Sequence, residues 1–137
     1  MSESGNESKL SVYPTLRYRD APAAIEWLCT AFGFQQHLVM PNPDGTIAHA
    51  ELRLGNGMIM LGSRKDEDTG ELQSQTESSA LRGIYVYVAD ADAQYERARA
   101  AGGEVVREIN DTEYGSREYA IRDPEGTIWS FGTYAGA

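Results

Sequence analysis

The feature that most constrains the fold is an internal repeat with an offset of seventy residues. Aligned without a gap, residues 13–62 and 83–132 share nine identities in fifty pairs. The matched residues include helix start and end signals, since Asp20 aligns with Asp90 and Gly33 with Gly103. An Asp can cap the start of a helix and a Gly can end one. The spacing therefore predicts one supersecondary unit built twice.

Both copies have the pattern β-α-β-β-β. In the first, alternating YPTLRYR precedes the helical pattern APAAIEWLCTAF, and the strands QQHLVM, IAHAELRL and GMIMLG follow between turn sequences. The second copy has strand IYVYVA, helix DAQYERARAAG and strands EVVRE, SREYAIR and TIWSFGTY. These patterns predict an α+β fold made of two βαβββ modules.

The predicted boundaries are a flexible tail at 1–10, a first module at 11–62, a linker at 63–80 and a second module at 81–137. The linker sequence SRKDEDTGELQSQTESSA is polar and charged, which favours a solvated segment over core. Such a linker lets the second module pair within its own chain or exchange onto a partner chain. All these parts are expected to form one structural domain.

Composition narrows the classes of function. The net charge of −9 argues against binding to nucleic acid or to anionic membranes, because both need clustered Lys and Arg. The single cysteine permits no internal disulfide, and the polar N-terminus lacks the apolar core of a signal peptide. No apolar run reaches the roughly 20 residues of a membrane span. We expect a soluble cytoplasmic protein.

Strand alternation predicts which side chains share a face of the sheets. One face is bulky and apolar and should pack against the helices. The other is expected to form an aromatic hollow suited to a small molecule, although plain solvent-exposed surface is the alternative. This second face is predicted to carry Tyr13, Thr15, Arg17, His49, Glu51, Arg53, Met58 and Met60, and from the second module Gly83, Tyr85, Tyr87, Tyr119, Ile121, Ile128 and Ser130.

The paired units, together with RDAPAAIEWLCTAFGF, AHAELRLGNGMIMLG, AAGGEVVRE and DPEGTIWSFGTY, resemble the vicinal oxygen chelate superfamily of glyoxalases, bleomycin-resistance proteins and dioxygenases. The PhnB-like branch is the most similar. The resemblance spans about Ser11 to Tyr134 and implies two modules that form an open, cup-shaped mixed sheet, usually in a dimer.

The resemblance also implies where a metal would bind, on the first and last strands of each module. Those positions hold Tyr13, Met60, Gly83 and Ser130. Zinc prefers imidazole, thiolate or carboxylate ligands. A thioether is a poor ligand for the metals that such proteins bind, and a glycine has no side chain to offer. We therefore expect no metal and no other cofactor.

His49 and Glu51 lie two residues apart on one predicted strand. They are candidate catalytic residues, with the imidazole as an oriented general base, or else a hydrogen-bonded polar pair without chemistry. Arg17 is a candidate anchor for an anionic ligand, with a salt bridge to a carboxylate as the alternative. His37 is expected at the surface. The predicted ligand-binding residues are Tyr13, Thr15, Arg17, Arg53, Met58, Met60, Tyr85, Tyr87, Tyr119 and Ser130.

Three functions follow from these patterns. The first is a metal-independent small-molecule-binding protein, which sequesters a drug or metabolite. The second is a lyase or isomerase of the glyoxalase type that uses His49 and Glu51. The third is a protein-interaction module that uses its exposed sheet edges. A homodimer is expected, because single cups of this kind leave apolar edges.

Overall fold

The computed structural model describes residues 10–65 and 83–136. Residues 1–9, 66–82 and 137 lie outside them, and these include most of the predicted tail, most of the predicted linker and the first two residues and the last residue of the predicted second module. The elements are β1 (Thr15–Tyr18), α1 (Ala21–Phe32), β2 (Gln35–Pro41), β3 (Ile47–Leu54), β4 (Gly57–Ser63), β5 (Ile84–Tyr87), α2 (Ala91–Ala100), β6 (Glu104–Asp111), β7 (Arg117–Arg122) and β8 (Ile128–Gly132). Strand β4 thus includes Ser63, one residue beyond the predicted end of the first module.

The strands form two four-stranded mixed sheets, with orders β1-β4-β3-β2 and β5-β8-β7-β6. In each sheet the first strand pairs in parallel with the last, and the other pairs are antiparallel. A helix connects the first two strands of each unit. The predicted α+β fold with two βαβββ modules is therefore confirmed.

Both helices begin where the repeated Asp residues predict. The carboxylates of Asp20 and Asp90 accept hydrogen bonds from the backbone N–H groups of Ala23 and Ala93, at 3.2 and 3.0 Å. Helix α1 ends at Gly33, whose φ of 90° is left-handed. The second helix differs from the prediction, because the left-handed glycine after it is Gly102 and not Gly103.

The modules pack through their helix sides around one shared core. The ring of Phe32 on α1 lies 5.2 Å from the ring of Trp129 and 4.7 Å from that of Phe131, both on β8. Trp27 donates its indole N–H to the carbonyl of Ala101 at 2.8 Å. In residues 10–65 and 83–136 no strand of one sheet pairs with a strand of the other. The faces opposite the helices, here called the open faces, are thus not joined into one sheet within a chain.

The predicted placement of Tyr119 and Ile121 on the open face is wrong. Both side chains are fully buried on the helix side of β7. The ring of Tyr119 stacks on Phe131 with centroids 5.1 Å apart and an interplanar angle of 14°. The open face of β7 instead carries Glu118, which pairs with Gly132 across the ladder.

The cause is a difference in hairpin register between the two modules. In the first module Leu54 pairs with Gly57 across a two-residue turn, so Glu51 pairs with Met60. In the second module Arg122 pairs with Ile128 across a five-residue turn, so Ile121 pairs with Trp129 and not with Ser130. Under the repeat alignment this is a register shift of one residue, which puts the side chains of β7 on the opposite face from their counterparts on β3.

Candidate functional site

The open face of the first sheet brings together most of the residues predicted for it. Met60 pairs with Thr15 on one side and with Glu51 on the other, while Met58 pairs with Arg53. Both methionines are partly buried and form an adaptable apolar strip between polar neighbours. Tyr13 is outside this ladder, because β1 begins two residues later.

A polar network crosses this face. The Nε2 atom of His49 lies 2.9 Å from Oε2 of Glu51, whose side chain is only 20% exposed. His37 joins the network, with its Nε2 4.0 Å from the other oxygen of Glu51 and its Nδ1 3.2 Å from Nη2 of Arg53. His37 is exposed, as expected, and its contact with Glu51 and Arg53 is an addition that the sequence did not indicate. The network gives an imidazole oriented by a carboxylate, which is the geometry of a general base.

Arg17 forms neither a salt bridge with Glu51 nor one with another described carboxylate. Its guanidinium donates to the carbonyl oxygen of Ser63 at 3.2 Å. A guanidinium has five donors, so this bond leaves others for a ligand. Arg17 pairs with Gly62 in the ladder and therefore lies on the open face as predicted.

The open face of the second sheet is richer in aromatic side chains. Tyr85 and Tyr87 on β5 are 45% and 53% exposed. Tyr85 pairs with Ser130 across the parallel ladder, and its hydroxyl exchanges hydrogen bonds with the backbone of Tyr134. Tyr134 and Tyr114 meet edge to face, with ring centroids 5.5 Å apart. Two of these tyrosines, Tyr114 and Tyr134, were not predicted.

Glu118 is the central charged group of this face and was also missed by the sequence reasoning. It is 5% exposed. The hydroxyl of Tyr114 donates to it at 2.7 Å and Nη2 of Arg107 at 3.1 Å. Burial alone would raise the pKa of this carboxyl, but hydrogen bonds from Tyr114, Ser116 and Arg107 outweigh it, so the net pKa is lowered. The strand alternation in SREYAIR could have found Glu118, because it puts this residue opposite the apolar Tyr119 and Ile121.

These residues line an open surface cavity of about 440 Å³, here called the tyrosine cavity. A larger groove of about 1010 Å³ runs beside β5 and the β3–β4 turn. Both are within the size range of small-molecule sites. The tyrosine cavity is lined by Gly83, Ile84, Tyr85, Arg107, Tyr114, Glu118, Ser130 and Tyr134.

The donor set at the positions expected for a metal does not fit a divalent ion. Met60 offers a thioether, Ser130 a hydroxyl and Gly83 no side chain, whereas zinc and similar metals prefer imidazole, thiolate or carboxylate. Within the described part of the chain, no group of three His, Cys, Asp or Glu side chains is arranged to hold an ion.

Neither described helix is long and apolar enough to cross a membrane.

Two βαβββ modules, each with a helix-covered face and an open face, define the class of paired-module proteins. One protein-family model also matches most of the chain. The chain belongs to the Glyoxalase/Bleomycin resistance protein/Dioxygenase superfamily, whose model matches residues 11–131. The resemblance noted in the sequence is thereby confirmed.

The chain is similar to several known proteins, some by sequence and some by structure. An uncharacterized protein of Mycobacterium tuberculosis (strain ATCC 25618 / H37Rv) is 36% identical over 123 residues, which cover 87% of this chain and 71% of the relative. An uncharacterized protein of Mycobacterium bovis has the same identity over the same length, covering 87% of this chain and 80% of the relative. The crystal structure of TioX from Micromonospora sp. ML1 is 31% identical, with a TM-score of 0.68 over 89% of this chain and 98% of that one. A glyoxalase I mutant from Zea mays shares the fold at 19% identity and a TM-score of 0.68, covering 94% of this chain and 47% of its own.

Proposed function

We propose that this chain is a metal-independent small-molecule-binding protein of the glyoxalase/bleomycin-resistance type, and that its ligand contacts the tyrosine cavity. The observation that carries the proposal is a group of three exposed tyrosines around the buried carboxylate of Glu118. Tyr85, Tyr114 and Tyr134 are 45%, 60% and 42% exposed. Exposed aromatic rings that converge on one cavity are typical of binding sites.

The chemistry of the cavity favours a planar, amphipathic ligand. Tyrosine rings offer flat surfaces for stacking, and their hydroxyls can fix a polar edge. Arg107 lies 3.1 Å from Glu118, so the two charges offset each other and the carboxylate is held in place. The site then selects for ring shape and hydrogen-bonding groups more than for net charge.

We also propose that the protein acts as a cytoplasmic homodimer. Each chain has two open faces that are not joined to each other, and β1 and β5 are edge strands of their sheets. A second copy could place its first open face, with Met60 and His49, opposite the tyrosine cavity. In this arrangement the open faces of two chains would together form the walls of one binding cavity. Sedimentation that showed a monomer at micromolar concentration would contradict it.

The binding proposal is tested by a thermal-shift screen of planar natural products and antibiotics, with hits measured by calorimetry. Tyr114→Ala should weaken a hit about tenfold, because one stacked ring is worth about 1 kcal/mol or more. The matched control is Val106→Ala, an exposed apolar residue on β6 that does not line the cavity. A hit that binds Tyr114→Ala as tightly as the unchanged protein would contradict the proposed site. Loss of binding after chelator treatment would contradict metal independence.

The contact between His49 and Glu51 favours a second candidate, a lyase or isomerase. At 2.9 Å the carboxylate can hold the imidazole in one tautomer while that ring moves a proton. An activity panel on thiohemiacetals and epoxides tests this function. His49→Ala should abolish an activity that His37→Ala only reduces. Full activity in His49→Ala would rule this mechanism out.

A further inference from the structure

A separate pocket lies on the helix side of the molecule, where the two modules meet. Its volume is about 320 Å³, and we call it the α1 pocket. Helix α1 provides one wall, and the turn between β7 and β8 provides the opposite wall. The pocket is lined by Tyr18, Asp20, Ala23, Ala24, Trp27, Leu28, Asp123, Pro124 and Glu125. None of these residues belongs to an open face, so this pocket is distinct from the tyrosine cavity.

The shape of the α1 pocket follows from small residues beside a large one. Ala23 and Ala24 leave space on α1 one turn before Trp27, and the buried Leu28 and Tyr18 lie deeper. The indole N–H of Trp27 is already bonded to the carbonyl of Ala101. Trp27 therefore offers the pocket apolar ring surface, which also attracts cations through its quadrupole.

The polar groups of the α1 pocket are all carboxylates or their neutral partners. Asp123 is 3% exposed and accepts hydrogen bonds from the hydroxyl of Tyr18 at 2.7 Å and the indole N–H of Trp129 at 3.1 Å. Glu125 accepts the backbone N–H groups of Arg19 and Asp20 at 2.7 and 2.8 Å. The donors carry no formal charge, so both carboxylates stay anionic, although the positive end of the α1 dipole beside Asp20 offsets part of their charge.

The charge around the pocket is not purely negative. Arg19 and Arg122 line a neighbouring cavity of about 440 Å³ that shares Asp123 and Glu125. Among the described residues that line the α1 pocket itself, however, none is basic. Burial raises the pKa of Asp123, so a positive charge placed nearby would stabilise its carboxylate form.

We propose that the α1 pocket binds a small organic cation, an ammonium group carried on a single apolar ring. The ring would contact Trp27 and Leu28, and the ammonium group would approach the carboxylates of Asp20 and Glu125. A neutral molecule of the same shape gains the apolar contact alone. A ligand of this size is expected to bind with a dissociation constant of about a millimolar.

The test is a titration with phenethylammonium chloride, with 2-phenylethanol as the neutral probe of similar size. The chain has two tryptophans, so its two indole N–H signals can be followed by NMR and assigned with Trp27→Phe. Phenethylammonium should shift the Trp27 signal saturably, at about tenfold lower concentration than 2-phenylethanol. Equal binding of the two probes, or no shift with either, would overturn the proposal.

Matched variants locate the site. Glu125→Gln removes the charge and keeps an acceptor oxygen for one of the two backbone N–H groups, and it should weaken phenethylammonium about fivefold. Ala23→Phe places a ring at the exposed rim and should block binding. Glu96→Gln, on the surface of α2, should change nothing. Unchanged binding in Glu125→Gln or Ala23→Phe would refute the assignment. Tyr114→Ala should leave this titration unaltered, which separates it from the proposed function.

Discussion

Replacing Tyr119 by phenylalanine should stabilise the protein. The hydroxyl of Tyr119 is buried and has no hydrogen-bond partner among the described residues. Its ring stacks on Phe131 and meets Tyr95 edge to face at 5.0 Å, and phenylalanine would keep both contacts. Burying an unpaired hydroxyl costs about 1–3 kcal/mol. The small void left by the missing oxygen offsets part of this, so we expect a gain of about 1 kcal/mol.

Tyr18→Phe is the matched comparison for this change. Tyr18 is as deeply buried as Tyr119, but its hydroxyl donates to Asp123 at 2.7 Å. Its removal leaves a buried carboxylate with one partner fewer and should cost about 1–3 kcal/mol. The same chemical deletion should therefore have opposite effects at the two positions.

Thermal denaturation followed by circular dichroism at one fixed protein concentration measures both variants. The fixed concentration matters because association would add to apparent stability. For a chain of 137 residues, Tyr119→Phe should raise the midpoint temperature by about 3 °C. Burial also raises the pKa of Tyr119, so the unfolded chain ionises first and the unchanged protein should lose additional stability above about pH 10. A loss of stability in Tyr119→Phe would show that the hydroxyl has a partner and refute the reasoning.

Two further predictions concern the second module. The lowered pKa of Glu118 means that its contribution to stability is present above its unfolded pKa of about 4.3 and lost as the pH falls through the folded value. The gap in unfolding free energy between the unchanged protein and Glu118→Gln should therefore shrink from pH 7 to pH 3 in urea titrations, and a constant gap would contradict it. A Cβ at Gly103 would lie 2.5 Å from Cδ1 of the buried Ile121, so Gly103→Ala should destabilise by about 1–3 kcal/mol. Gly83→Ala, whose Cβ would meet nothing closer than 3.5 Å, is the control in the same thermal melts, and equal behaviour of the two would argue against a close-packed Gly103.

Local sequence signals predicted the elements well, because each depends on a few neighbouring residues. The Asp caps, the glycine after α1 and the alternation of IAHAELRL and GMIMLG act within one turn or one strand. Residues on β3 and β4 were therefore assigned to the correct faces. Glu51 and Met60 lie side by side as their alternation predicted.

The error on β7 arose because strand alternation shows which side chains share a face but not which of the two faces is buried. Tyr119 and Ile121 do share a face, but it is the buried helix side and not the open face. The hairpin register that decides this differs between the modules, since Leu54 pairs with Gly57 in one and Arg122 with Ile128 in the other. Register depends on how two strands meet in three dimensions.

The sequence alone determined that this chain folds as two βαβββ modules, because caps, turns and strand alternation are encoded by residues close together in the chain. Only the tertiary structure decided which side chains share a site. Tyr85 and Tyr134 are separated by 49 residues and Asp20 and Glu125 by 105, yet hydrogen bonds connect both pairs. Such contacts depend on how the modules pack and on strand register. A single inserted residue changes that register without altering the pattern of either strand.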